Sequence, residues 1–90
     1  MLIKDYMCVT CRTEEEKQLF IKTADEEGWI GLYTHKKASM MDLPPVPMCF
    51  TTGYYGDKYP DALTYSANLN EERQHLHRIE AAELFQGART

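Results

Sequence analysis

The 90-residue chain has no apolar run that approaches the roughly 18 residues needed to cross a membrane. Its first residues, 1–5, reach charged side chains at once and lack the apolar segment of a secretion signal. Basic clusters are also missing, since Lys36 and Lys37 form the only basic pair. Because neutralised phosphates supply most of the affinity for nucleic acid, these absences predict a cytoplasmic protein that binds neither membranes nor DNA or RNA directly.

The motifs of common catalytic and phosphate-binding sites are absent as well. The chain has no Ser-His-Asp order and no glycine-rich phosphate loop, and Gly53 with Gly56 is better explained as a turn. No pattern places two carboxylates across a pocket for general acid–base work. We therefore expect no enzymatic activity and no cofactor.

What the chain does have is apolar sequence for one small core, with 43% hydrophobic residues. A chain of this length buries only about 60–65% of the surface that its unfolded form exposes, so we expect one domain, residues 1–90, of modest stability. Partner binding or a homodimer would add to that stability. The net charge of −4 suits the basic surface of another protein.

The clearest local signal is a helix start at Thr13. Its hydroxyl is placed to accept a hydrogen bond from the first helical turn, and Glu16 can reach back to the Thr13 amide to complete a capping box. Gly28 stands where a left-handed residue closes a helix. Apolar side chains recur on one side between these two ends, which predicts an amphipathic helix over Glu14–Glu27.

Short segments with β-branched and aromatic residues surround this helix, and the third and fourth are expected to pair in antiparallel fashion. These segments are residues 6–10, 29–34, 46–52, 62–66 and 74–79. Together with the helix they predict an α+β fold, in which a mainly antiparallel sheet of about four strands packs against one amphipathic helix.

The C-terminal stretch admits two interpretations. Its apolar positions do not form one stripe at helical spacing, which favours a strand followed by a short helical turn over residues 81–85. Its composition is rich in helix-forming residues, so a continuous helix over residues 71–86 is the alternative.

Three cysteines raise the question of a metal or redox site. Cys8 and Cys11 form a C-x-x-C, which with Cys49 and a histidine such as His75 would make a Cys₃His zinc site. Residues three apart in a strand point to opposite faces, so buried free thiols are the favoured interpretation. The acidic residues that follow also disfavour the thiolate that a redox dithiol needs.

A surface for protein recognition is the more promising feature. Tyrosines gather in a turn-rich segment, and tyrosine gives a large contact area at low entropic cost, which enriches it at interfaces. Acidic residues on the helix would steer a basic partner toward them. The candidate partner-binding residues are Glu14, Glu15, Asp25, Tyr54, Tyr55 and Tyr59. The alternatives are the small zinc protein and a module that sequesters a small ligand such as a nucleotide between aromatic side chains.

In layout, the chain resembles small uncharacterised bacteriophage accessory proteins. The resemblance is carried by a short first strand, a Thr-Glu-Glu-Glu helix that ends in Gly28-Trp29, a Cys49-Phe50 strand, Leu63-Thr64-Tyr65-Ser66 and a closing segment over residues 78–85. It implies a compact α+β domain with no catalytic residues. It further implies a binding protein that inhibits a host protein in the host cytoplasm. The targets of such proteins include antiviral defence complexes such as CRISPR effectors.

Overall fold

The computed structural model describes residues 2–4, 6–53, 62–67, 69 and 77–86. In chain order the elements are β1 (Met7–Cys11), α1 (Glu14–Glu27), β2 (Ile30–Gly31), β3 (Met48–Thr52), β4 (Ala62–Ser66), β5 (His77–Glu80) and α2 (Ala81–Gln86). A 3₁₀ turn, Ala38–Met40, lies between β2 and β3. The strands form one sheet in the order β2-β4-β3-β1-β5, so the predicted α+β class is confirmed.

The sheet differs from the prediction of about four mainly antiparallel strands, because it has five strands and mixed pairing. β3 pairs with β4 in antiparallel fashion, as expected, and β1 also pairs antiparallel with β3. β5 lies parallel to β1 and β2 lies parallel to β4. Parallel neighbours need long crossover connections, so their pairing depends on tertiary packing that a local pattern does not contain.

Several strands differ from their predicted bounds: β3 starts at Met48 and not at residue 46, and β5 ends at Glu80 and not at residue 79. β1 starts at Met7 because Tyr6 adopts a left-handed backbone with φ of 65°, which does not continue a strand. The same strand extends to Cys11, one residue beyond the predicted end. β2 keeps only Ile30–Gly31, because residues 32–34 form a turn in which the His35 amide donates to the Gly31 carbonyl at 3.0 Å.

The C-terminal stretch follows the first of its two interpretations where the structure describes it. His77–Glu80 is a strand in register with β1, so a continuous helix over residues 71–86 is wrong. The short helix Ala81–Gln86 follows directly and extends one residue beyond the predicted turn. Residues 71–76 lie outside the described part of the chain.

Helix α1 begins and ends where the sequence predicts. The Thr13 hydroxyl accepts a hydrogen bond from the Glu16 amide at 3.1 Å, and Gly28 has the left-handed φ of 86° expected of a helix-closing glycine. The second half of the capping box differs, since the Glu16 carboxylate accepts from the Arg12 amide at 2.8 Å and not from Thr13. The carboxylate therefore fixes the chain one residue before the cap, which ties the end of β1 to the start of α1.

The core lies between α1 and one face of the sheet. The rings of Phe20 on α1 and Phe50 on β3 are stacked, with centroids 4.2 Å apart and planes 12° apart. Trp29 is only 2% exposed and closes the core beyond the end of α1. Lys17 is also buried, and its Nζ donates to the Pro44 carbonyl at 2.8 Å. This contact takes one of the two α1 lysines out of solvent.

The carboxylate of Glu27 holds the N-terminal segment to the end of α1. Its two oxygens accept from the amides of Leu2 and Ile3 at 2.7 and 3.0 Å, and the Ile3 side chain enters the core. Because a hydrogen bond to a charged group contributes about 1.5–3 kcal/mol, we expect Glu27→Ala to lower the free energy of unfolding by about 2 kcal/mol. Urea denaturation measures this loss, and faster amide exchange at Leu2 and Ile3 locates it.

The neighbouring acid supplies the control for that prediction. Glu26 is exposed on the same helix turn, and substitutions of such surface residues usually change stability by less than about 0.5 kcal/mol. Equal losses in Glu27→Ala and Glu26→Ala would show that the two backbone contacts do not stabilise the fold.

Candidate binding site

The position of β5 beside β1 places α2 against α1. Helix α2 starts at the residue after β5, so the strand pairing determines where the helix lies. Its Phe85 is 3% exposed and belongs to the core, while Leu19 of α1 is half-buried and packs against the same core. The two helices therefore meet through apolar side chains and leave open space on either side of them.

A cavity of about 410 Å³ lies at the N-terminal end of α1. Leu19, Phe85 and Ala82 supply the apolar part of its lining, and Glu15 and Glu16 supply the charged part. A second cavity of about 460 Å³ shares Leu19, Phe85 and Glu15 with the first. We call this pair of cavities the α1–α2 groove.

The charges along the α1–α2 groove differ between its two ends. Glu15 and Glu16 are the charged residues that line the first cavity among the residues described, whereas Lys22 joins Glu15 in the second. Arg12 lies near the acidic end, but it forms an ion pair with Glu80, whose hydrogen bond raises the pKa of Arg12 further. The Arg12 charge is therefore met within the chain by Glu80.

The predicted acidic residues do not all lie together. Glu14 and Glu15 are exposed in the first turn of α1, where Glu14 Oε1 accepts from the Gln18 side-chain amide at 2.9 Å. Asp25 is half-buried at the other end of the helix, and its Oδ1 accepts from the Ser39 amide of the 3₁₀ turn at 3.4 Å. Asp25 thus holds a loop in place, while Glu15 lines the α1–α2 groove.

The predicted tyrosine anchors Tyr54, Tyr55 and Tyr59 lie outside the described residues. Another tyrosine, Tyr33, is 72% exposed. It lies beside a hollow of about 280 Å³ that Gly31 of β2 and Tyr65 of β4 also line. The Tyr65 hydroxyl donates to the Asp42 carbonyl at 3.2 Å. This volume lies at the lower end of the range of about 300–1,000 Å³ typical of small-molecule sites.

The three cysteines divide between the two faces of the sheet. Cys8 and Cys49 pack with Leu69 on one face, and Cys11 lies in the main core on the other. Neighbouring β1 residues alternate in direction, so positions 8 and 11 cannot share a face. The structure does not bring Cys11 to the other two thiols, and the predicted three-thiol zinc site is not assembled.

The environment of Cys11 also disfavours metal and redox chemistry. The pKa of its thiol is raised to about 12, mainly by burial, with a smaller rise from the negative charges of Glu16 and Glu80 and an opposing effect of Lys17. Zinc ligands and attacking thiols are thiolates. Within the part of the chain that the structure describes, no three potential metal ligands are close enough to share an ion. His75 lies outside that part, so its role as a ligand stays a prediction.

The α1–α2 groove is the feature that sequence reasoning missed. Its floor joins Leu19 and Phe85, which are far apart in sequence and meet only because β5 returns to β1. A partial signal exists in α1, since Leu19 widens the apolar stripe beyond the side that faces the sheet. The matching apolar side chain on α2 could not be paired with it from periodicity alone.

Comparisons with protein-family models, with curated proteins and with solved structures found no match for this chain. Among the helices that the structure describes, none is both long and apolar enough to cross a bilayer. The function must therefore be argued from the geometry and charge of the site.

Proposed function

We propose that this protein is a non-enzymatic binding protein of the bacteriophage accessory type, which inhibits a host protein by covering a basic surface on it. The resemblance in layout points to antiviral defence complexes, such as CRISPR effectors, as the class of partner. The single observation that carries the proposal is the α1–α2 groove, whose apolar floor is bordered by carboxylates at one end. Specific interfaces combine an apolar centre with a polar rim in this way.

The charge on α1 supports a basic partner more strongly than the composition of the helix suggests. Lys17 is buried against the Pro44 carbonyl, which leaves Lys22 as the exposed cation among the helix residues. The exposed acids of the same helix are Glu14, Glu15 and Glu26. An excess of one sign on an exposed face speeds encounter with the opposite sign, because it steers diffusion before contact.

The experiment starts with affinity capture from the host cell and continues with the purified partner. We expect the double charge reversal Glu14→Lys with Glu15→Lys to slow association at least about tenfold in low salt, since steering depends on these charges. The difference should shrink at high salt, because ions screen the charges. Stopped-flow or surface-based kinetics at several salt concentrations measures both effects, and an activity assay of the partner reports inhibition.

Glu83→Lys, which makes half the charge change of the double reversal, is a control, because Glu83 is exposed on α2 and is not among the groove-lining residues. It should change association by much less than the double reversal. Association rates that stay the same in low salt when Glu14 and Glu15 are reversed would contradict the steering role. A partner that keeps full activity when saturated with this protein would contradict inhibition.

A further inference from the structure

We propose that the α1–α2 groove anchors the partner by receiving one large apolar side chain from a basic segment, with a lysine or arginine beside it. The inference rests on the proposed function and deepens it, because it names the part of the acidic surface that holds the partner. It also states the chemistry of the segment that is held. The segment carries a leucine, isoleucine or phenylalanine next to its cation.

The apolar occupant follows from the floor of the groove. Leu19 and Phe85 line both cavities, and Leu2 adds a further apolar side chain to the second one. An apolar side chain that covers this floor removes water mainly from the half-buried Leu2 and Leu19, since Phe85 is only 3% exposed, and this is a favourable change. Anchor residues at interfaces commonly fill a pocket of this kind near the centre of the contact.

The neighbouring cation follows from the carboxylates. Glu15 borders both cavities, and Glu16 borders the first. One oxygen of Glu16 accepts from the Arg12 amide, which leaves its second oxygen as an acceptor for a cation. A basic side chain that enters with the apolar anchor therefore meets two negative groups at one end of the groove.

The charge difference between the two ends gives the bound segment a direction. Lys22 lines the second cavity, so a cation is repelled there and attracted at the Glu15–Glu16 end. The N-terminus of α1 does not turn this end into an anion site, because Thr13 already accepts from the Glu16 amide and the acids of the first turn oppose a negative ligand. The lysine or arginine thus lies on the α1 N-terminal side of the anchor.

Fluorescence anisotropy with three labelled peptides of equal length tests the two parts of the proposal. One peptide alternates lysine with leucine, the second alternates lysine with serine, and the third alternates glutamate with leucine. We expect the lysine–leucine peptide to bind the full chain at least about tenfold more tightly than either of the others in low salt, because only it supplies both the anchor and the cation.

Two charge variants of α1 locate the site. Glu15→Lys and Glu26→Lys make the same charge change on the same helix, but only Glu15 lines the groove. We expect Glu15→Lys to weaken the lysine–leucine peptide at least about tenfold and Glu26→Lys to weaken it less than about threefold. Thermal melts of both variants show whether the fold is retained.

A third variant fills the groove without removing a core side chain. Ala82 is exposed on α2 and lines the first cavity, so Ala82→Met places a larger apolar side chain there. It should weaken the lysine–leucine peptide and leave the weak binding of the lysine–serine peptide unchanged. This variant keeps the test informative if Glu15→Lys lowers the melting temperature.

Each contrary result has a separate meaning. Equal binding of the lysine–leucine and lysine–serine peptides overturns the apolar anchor and leaves charge steering standing. Equal weakening by Glu15→Lys and Glu26→Lys overturns the groove as the site. If the chain forms a concentration-dependent dimer that Ala82→Met dissolves, a second copy covers the groove and the proposal is overturned. A last outcome is that no peptide binds, while Glu14→Lys with Glu15→Lys abolishes binding to the captured host partner. This outcome overturns the anchor and retains the proposed function.

Discussion

Replacing Phe20 by alanine is expected to lower the free energy of unfolding by about 3–5 kcal/mol, because it leaves a cavity in a close-packed core. Phe20 and Phe50 are both fully buried, and their stacked rings join α1 to the strand at the centre of the sheet. Small domains have total stabilities of about 5–15 kcal/mol. A loss of this size removes a large share of the stability of a 90-residue chain.

Urea denaturation followed by the emission of Trp29 measures this effect, since the single tryptophan is buried in the native core. Phe20→Leu keeps most of the apolar volume and should cost much less than Phe20→Ala. Tyr33→Ala removes an aromatic ring that is 72% exposed and should change stability by less than about 0.5 kcal/mol. A Phe20→Ala loss no greater than that of Tyr33→Ala would contradict the stacked core.

The second large effect is a loss of stability at alkaline pH that depends on Cys11. Burial raises the pKa of the native thiol from 9.0 to about 12. Above pH 9 the unfolded chain therefore releases this proton while the native chain keeps it, so the native state binds more protons. The contribution is fully present below pH 9, and it falls by up to about 1.4 kcal/mol per pH unit until the native thiol ionises near pH 12.

Comparing the slope of stability against pH in wild type and Cys11→Ala tests this linkage. The variant loses core volume at all pH values, but its stability should fall less steeply between pH 9 and pH 11, because it lacks the titrating group. Val9→Ala is a suitable control, since it truncates another buried side chain on the same face of β1 and leaves the thiol in place. Parallel slopes in wild type and Cys11→Ala would refute the raised pKa.

The sequence allowed α1 to be predicted with its correct bounds because the signals at both ends are local. A threonine can cap a helix and a glycine can close it through contacts within a few residues, and Thr13 and Gly28 do so here. The predicted partner of the Glu16 carboxylate, the Thr13 amide, was wrong by one residue, since the carboxylate accepts from the Arg12 amide. The amides of Arg12 and Thr13 both precede the first turn, and the sequence pattern does not distinguish between them.

The mixed sheet and the groove could not be predicted from local signals. The pairing of Met7 with His77 and of Ile30 with Ala62 joins segments that are far apart, and strand patterns say nothing about which neighbour each strand selects. The short β2 was also missed, since strand preference over residues 29–34 does not reveal the turn at residues 32–34 that ends the strand. Because α2 directly follows β5, the α1–α2 groove forms only when β5 pairs with the distant β1.

The location of β1 between β3 and β5 has a consequence during synthesis. A ribosome delivers Met7–Cys11 well before His77–Glu80, so one side of β1 has no neighbour until β5 emerges. Pairing between segments so far apart is slow, because a long stretch of chain must be brought together first. During that interval the bare strand edge offers a template to other nascent chains, and crowded translation exposes this protein to aggregation.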